Sequence, residues 1–88
     1  MGYRVKLTPR AARELKALPK HVRKRIIRWL DLLADVPFRE GTKKLEGRGG
    51  LCRVHASKEY VIVFVVQKKQ VLVLVVRVAH RGDVYRGL

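Results

Sequence analysis

The chain has 88 residues, the size of one small domain with a modest core, and we expect a single domain over residues 1–88. Its 21 lysines and arginines far exceed its 7 aspartates and glutamates, so the formal net charge is +14. Such a charge favours a polyanionic partner, nucleic acid first. Hydrophobic residues make up 48% of the chain, which excludes a disordered basic tail.

Several classes of protein do not fit this composition. A single cysteine, Cys52, excludes an internal disulfide and gives no sign of an oxidising compartment. The N-terminus has no apolar stretch typical of a signal peptide, and the longest apolar runs are far shorter than the roughly 20 residues of a membrane helix. The three histidines are scattered, without metal-ligand spacing. We therefore expect a cytoplasmic protein with no membrane contact, metal or cofactor.

The first elements in chain order are a strand and a helix. Tyr3 to Leu7 alternates apolar and basic residues, as a half-buried strand does. Thr8 and Pro9 favour a helix start, because threonine caps free N–H groups and proline suits the first helical position. The helix should end at Leu18, before Pro19. Its buried side is predicted from apolar residues spaced three apart: Ala12, Leu15 and Leu18.

A second helix is predicted from about Lys20 to Ala34, ending before Pro37. Its apolar stripe contains Val22, Ile26, Trp29 or Leu30, and Leu33. Since the turn around Pro19 is tight, the two helices should form an antiparallel hairpin rather than a DNA-reading helix-turn-helix.

The rest of the chain favours strands. Residues 36–50 are expected to be mostly loop, and Leu51 to Ala56 alternates as a half-buried strand. Two valine-rich strands, Tyr60 to Val66 and Val71 to Val78, are joined by a turn at residues 67–70. The predicted fold is α+β with the order β-α-α-β-β-β: a largely antiparallel sheet with a two-helix hairpin on one face.

The valine-rich strands are apolar on both faces. In the first of them, Val61, Val63 and Val65 point away from the side that carries Tyr60, Ile62, Phe64 and Val66. Two helices cover only one face of a sheet, so the chain lacks the material for a second layer. We therefore expect a protein partner, self-association through this apolar face, or an exposed apolar groove.

Basic residues dominate the first third of the chain. Between Arg4 and Arg28 there are ten lysines and arginines and one acid, Glu14, which favours a surface that follows phosphates. The cations assigned to RNA binding are Lys20, Arg23, Lys24, Arg28, Lys43, Lys44 and Arg77.

A second group of residues carries the chemistry. Arg53 and His55 lie two apart on one strand and share a face, and His80, Arg81 and Tyr85 follow the last strand. Brought together, they would supply a fixed cation, an imidazole and a phenol. These are the groups needed for RNA cleavage by attack of a ribose 2′-hydroxyl on its own phosphate, without a metal.

Three segments resemble motifs of the RelE/ParE toxin superfamily. Lys43–Gly47 with Leu51–Val54 is similar to "KLxG…YR", Tyr60–Phe64 to "YRVIY", and Val75–Tyr85 to "VLRVGHRxDVY". The resemblance runs from end to end. It implies a toxin of a type II toxin–antitoxin system that cuts mRNA on the ribosome and is held inactive by an acidic antitoxin.

The resemblance also assigns roles and shows one departure. It places functional positions on Arg53, His55, Arg81 and Tyr85, and it makes His80 a candidate. Relatives have arginine after the strand tyrosine, where this chain has Val61. Loss of that phosphate contact would weaken cleavage. Two alternatives therefore stay open: a ParE-like toxin that inhibits DNA gyrase, and a non-catalytic RNA-binding module.

Overall fold

Threonine and proline residues set the ends of the two helices in a computed structural model, which describes residues 2–47 and 49–86. Helix α1 spans Pro9–Ala17, and the hydroxyl of Thr8 accepts a hydrogen bond from the N–H of Ala11 at 3.2 Å. Helix α2 spans Lys20–Asp35 and begins directly after Pro19. Both helices confirm the predicted bounds to within a residue.

The helices bury one apolar side against the sheet. In α2 this side contains Ile26, Leu30 and Leu33, with Val22 and Trp29 partly buried, as the sequence predicted. In α1 the fully buried residue is Ala11 rather than Ala12. No helix within the described ranges is long and apolar enough to cross a membrane.

The described residues form five strands: β1 Arg4–Leu7, β2 Lys43–Lys44, β3 Leu51–His55, β4 Tyr60–Gln67 and β5 Leu72–His80. They make one sheet in the order β1-β5-β4-β3-β2. The β1–β5 pair is parallel, and the pairs β5–β4, β4–β3 and β3–β2 are antiparallel. The α+β class and the largely antiparallel sheet are confirmed. The two-residue β2 lies in a stretch predicted as loop, so that part of the prediction is corrected.

A β-bulge in β5 sets which residues face the helices. Val63 pairs with Arg77 and Phe64 pairs with Val75, so Val76 is an extra residue in β5. The helix-side core therefore takes Val73, Val75 and Val78 from β5, with a spacing of two residues before the bulge and three across it. The main core on this side also contains Cys52, Val54, Ile62 and Phe64.

The sheet face opposite the helices, here called the open face, has a small core of its own. Val61 and Val63 are fully buried there, packed with Ala79 and with Val84 from residues 81–86, the C-terminal segment. Leu45 and Leu51 complete the cluster. The predicted strand phase is thus confirmed.

The expectation that no part of the chain covers the apolar residues Val61 and Val63 is wrong. The chain covers them with irregular structure, since the N–H of Val84 donates to the carbonyl of His80 at 3.0 Å and folds the C-terminal segment back. Self-association through Val61 and Val63 therefore loses the exposed surface on which it rested. Residues 87 and 88, the end of the predicted tail, lie outside the described residues.

Candidate functional site

Three basic residues share the open face near its β2 edge. Arg53 and His55 lie two apart on β3, and Lys43 of β2 pairs directly with Arg53. A cross-strand pair has Cβ atoms about 5 Å apart, and two residues along a strand span about 6.6 Å. Lys43 and His55 are exposed and Arg53 is half-buried. These three residues, called the basic cluster below, can reach one phosphate group and its neighbouring ribose.

The C-terminal segment, whose Val84 packs on the open face, carries two more predicted site residues. Arg81 is exposed at the end of β5, where its N–H donates to the carbonyl of Glu59 at 2.7 Å. Tyr85 follows the buried Val84 and is 41% exposed. His55 pairs with Val61, which in turn pairs with Ala79, so Arg81 leaves the sheet at the end where His55 lies. Arg81 thus follows β5 at the His55 end of the sheet, and Tyr85 belongs to the segment whose Val84 packs on the open face.

His80 does not join this group. It pairs with Tyr60, whose ring packs against the helix-side core, and the two rings make an edge contact at 5.7 Å between centroids. Its Nδ1 accepts a hydrogen bond from the N–H of Gly82 at 3.2 Å, and its Nε2 lies 3.8 Å from a carboxylate oxygen of Glu59. His80 thus stands on the side of the sheet opposite His55, which corrects the expectation that it shares their site.

Arg77 does not fit its assignment to RNA binding either. Its side chain is buried and makes an ion pair with Glu14 at 2.6 Å, so its guanidinium has no surface to offer a phosphate. No local pattern predicts this ion pair, because the two residues are 63 positions apart. Glu14 was named in the sequence only as the one acid among the basic residues, and its role as the partner of Arg77 was not predicted.

The predicted RNA-binding cations of α2 lie on the far side of the sheet from the basic cluster. They are Lys20, Arg23, Lys24 and Arg28. Arg23 also donates to the carbonyl of Lys16 at 3.1 Å. Lys44 pairs with Cys52 and so projects to the helix side of β2, while its neighbour Lys43 projects to the open face. The structure thus divides the predicted cations between two surfaces.

Two further features lie on the helix side. The beginning of α2 and the β3–β4 turn line a shallow cleft of about 370 Å³, which includes Arg25, Lys58 and Tyr60. Burial raises the pKa of the Cys52 thiol, while nearby Lys44 opposes that shift. The described part of the chain has no group of three or more His, Cys, Asp or Glu side chains that could hold a metal ion.

Comparison with known proteins places this chain in a family. Residues 5–85 match the family described as the ParE toxin of type II toxin–antitoxin systems, parDE. This chain belongs to the ParE toxin family. A search of curated proteins found no match.

Solved structures agree with the family assignment. The toxin of an archaeal RelE–RelB complex from Pyrococcus horikoshii OT3 is 31% identical, with a TM-score of 0.79 over 94% of this chain and 99% of that chain. The intact E. coli RelBE toxin–antitoxin complex gives 27% identity and a TM-score of 0.76, over 88% and 94% of the two chains. The RelBE2 complex of Mycobacterium tuberculosis, at 24% identity, shares the fold with a TM-score of 0.82, over 92% and 100%. This ParE-family chain is therefore a toxin of the type II toxin–antitoxin class, as its sequence motifs implied.

Proposed function

We propose that this toxin cuts mRNA on the ribosome and that the basic cluster, with Arg81 and Tyr85, forms the cleavage site. The observation that carries the proposal is the arrangement of Lys43, Arg53 and His55 on the open face, bordered by the C-terminal segment. Cations, an imidazole and a phenol within reach of one phosphodiester are the parts that RNA cleavage uses.

The reaction proposed is transfer of the phosphodiester to the adjacent ribose 2′-oxygen. His55 takes the proton from the 2′-hydroxyl, whose oxygen bonds to phosphorus while the bond to the 5′-oxygen breaks. Arg53 and Arg81 stabilise the negative charge that grows on the phosphate oxygens. The phenol of Tyr85 gives its proton to the departing 5′-oxygen, which leaves as a hydroxyl, and the other product ends in a 2′,3′-cyclic phosphate.

Dependence on the ribosome follows from the openness of the site. The basic cluster lies on a strand surface rather than in a deep pocket, so the protein alone holds a flexible RNA in few productive orientations. A ribosome that fixes the mRNA supplies this orientation, which contributes strongly to rate. Ribosomes and mRNA as partners also make the cytoplasm the proposed location.

The experiment compares cleavage of ribosome-bound mRNA with cleavage of the same mRNA free in solution. Arg53→Ala and His55→Gln should each lower the cleavage rate by about 10²-fold or more, as expected for loss of a phosphate-stabilising or proton-transferring group. Lys69→Ala is the matched control, because it removes an exposed cation from the β4–β5 turn at the other end of the sheet. A 2′-deoxy nucleotide at the cut site should abolish cleavage. Efficient cutting of free mRNA, or unchanged rates in both cluster variants, would refute the proposal.

Inhibition of DNA gyrase is the second candidate function. Two observations favour it: the matched family is that of ParE, and Val61 replaces the arginine that RelE-like relatives carry after the strand tyrosine. Supercoiling by purified gyrase with and without the toxin tests this alternative. Inhibited supercoiling together with uncut mRNA would select it.

An antitoxin is the proposed protein partner. The P. horikoshii and E. coli relatives were solved as toxin–antitoxin complexes. The net charge of +14 favours an acidic partner, since opposite charges speed encounter. Apolar contacts should supply most of the affinity. A complex that dissociates in 1 M salt would show that charge, and not apolar burial, holds it.

A further inference from the structure

Arg77 is the buried charged residue of the described chain, with 4% of its surface exposed. It lies on the open-face side of β5, paired with Val63, and its side chain reaches the edge of the sheet. There its Nε and Nη2 donate to one carboxylate oxygen of Glu14, at 2.9 and 2.6 Å. The second oxygen of Glu14 accepts from the N–H of Val78 at 2.9 Å. Glu14 therefore fixes both the position and the tilt of the guanidinium.

The remaining nitrogen of Arg77 holds the C-terminal segment. Its Nη1 donates to the carbonyl oxygens of Val84 at 3.0 Å and Arg86 at 2.8 Å, with a longer contact to Asp83 at 3.4 Å. Two of these carbonyls belong to the residues immediately before and after Tyr85. The backbone on both sides of Tyr85 is thus hydrogen-bonded to one guanidinium, while the Tyr85 side chain stays 41% exposed.

The Arg77–Glu14 ion pair acts as one unit. The donors of a buried arginine all need acceptors, and the carboxylate of Glu14 is itself mostly withdrawn from water, so removing either partner leaves the other uncompensated. Here the ion pair joins α1 to β5, and the three carbonyls join β5 to the C-terminal segment. A group this well satisfied holds one geometry in preference to others.

We propose that Arg77, oriented by Glu14, is the positioning residue of Tyr85. The guanidinium fixes the backbone on either side of Tyr85 and so sets where its phenol meets a substrate on the open face. The expected effect of Arg77 on mRNA cleavage rests on the proposed function. The placement of Tyr85 by Arg77 does not depend on it. The test therefore has one structural and one kinetic measurement.

The structural measurement uses toxin labelled with 3-fluorotyrosine, in which the three tyrosines give three fluorine signals. The double variant Glu14→Gln/Arg77→Met removes both charges at once and leaves an amide oxygen for the N–H of Val78. The Tyr85 signal should become narrower and its chemical shift should move toward that of unfolded toxin, while the chemical shifts of Tyr3 and Tyr60 stay unchanged. Asp83→Asn is the matched control, because it removes only the exposed ion pair with Arg86 at 3.5 Å. It should leave the Tyr85 signal unchanged.

The kinetic measurement is single-turnover cleavage of mRNA on saturating ribosomes. The double variant should lose at least tenfold in rate with little change in ribosome affinity. In a Tyr85→Ala background the same two substitutions should change the rate by less than twofold, because Arg77 acts through Tyr85. A purely structural role for Arg77 would lower the rate by the same factor in both backgrounds.

The outcomes separate the two ideas. An unchanged Tyr85 signal in the double variant, or rate losses that multiply, would overturn the positioning role. Toxin that cuts no mRNA would refute the proposed function, and the fluorine spectra would still decide whether Arg77 positions Tyr85. If the double variant also loses the folded signals of Tyr3 and Tyr60, the single variant Arg77→Lys replaces it in the test, since lysine keeps the charge but lacks the guanidinium fork. In Arg77→Lys the Tyr85 signal should shift while the Tyr3 and Tyr60 signals stay in place. An unshifted Tyr85 signal would count against the proposal.

Discussion

Replacing Val84 by alanine tests whether the C-terminal segment is a docked part of the fold. Val84 is fully buried against Val61, Val63 and Ala79, so Val84→Ala withdraws two methyl-sized groups from a closed apolar cluster. At about 0.8 kcal/mol for each buried group, the transfer loss is about 1.6 kcal/mol. The segment can partly follow the smaller side chain, so we expect a total loss of about 1–2 kcal/mol.

The assay is urea denaturation followed by the fluorescence of Trp29, with far-UV circular dichroism as the second probe. The midpoint should fall with an unchanged slope, and the melting temperature should drop by roughly 4–8 °C per kcal/mol in a domain of this size. Val36→Ala is the matched control, because Val36 is 46% exposed and its loss should cost less than about 0.5 kcal/mol. Equal effects of the two substitutions would refute the docking of the segment on the sheet.

Three further substitutions probe other features. Val61→Arg should lower stability by about 2–4 kcal/mol and speed tryptic cleavage after Arg81, because a buried position covered by Val84 would receive a charge; unchanged stability with faster mRNA cleavage would contradict this. Val71→Gly should raise the unfolding free energy by about 0.5–1 kcal/mol, since Val71 has φ 52° and glycine adopts this conformation without a steric penalty; a loss in urea denaturation would refute it. Cys52→Ala should flatten the fall in unfolding free energy above pH 9.0. Because burial raises the pKa of the Cys52 thiol in the folded state, the thiol stabilises the fold below its ordinary pKa, and that stabilisation is lost as the pH rises through the folded-state pKa. Parallel pH profiles of stability for the variant and the parent toxin would exclude this contribution.

The sequence predicted the elements that have local signals. Thr8 with Pro9 marks the start of α1, and Pro19 marks the junction of the helices, because both effects act within one turn of the chain. The alternation in β3 placed Arg53 and His55 on one face, and the register confirms that face. Periodicity and capping depend on neighbours a few residues away, so one sequence suffices to detect them.

The features that the sequence missed depend on distant partners. Strand β2 is only Lys43–Lys44, and nothing in two lysines predicts a strand without β3 beside them. The burial of Arg77 requires Glu14, which is 63 residues away. The apolar face was predicted to be uncovered because only helices and strands were considered as a second layer. Val84, on an irregular segment, covers Val61 and Val63 together with Leu45 and Leu51.

The division of the positive charge explains why composition favours a polyanion but does not locate a site. The exposed cations of α2 lie on one side of the sheet and the basic cluster on the other, in a molecule whose smallest extent is 25 Å. One RNA strand does not lie against both surfaces at once. The helix cations raise the rate of encounter with any polyanion, whether ribosomal RNA, DNA or an acidic antitoxin. They are therefore equally compatible with every function considered. The strand register that sets Arg53 beside Lys43 on one face is the observation that favours the proposed site for phosphodiester chemistry over a merely basic surface.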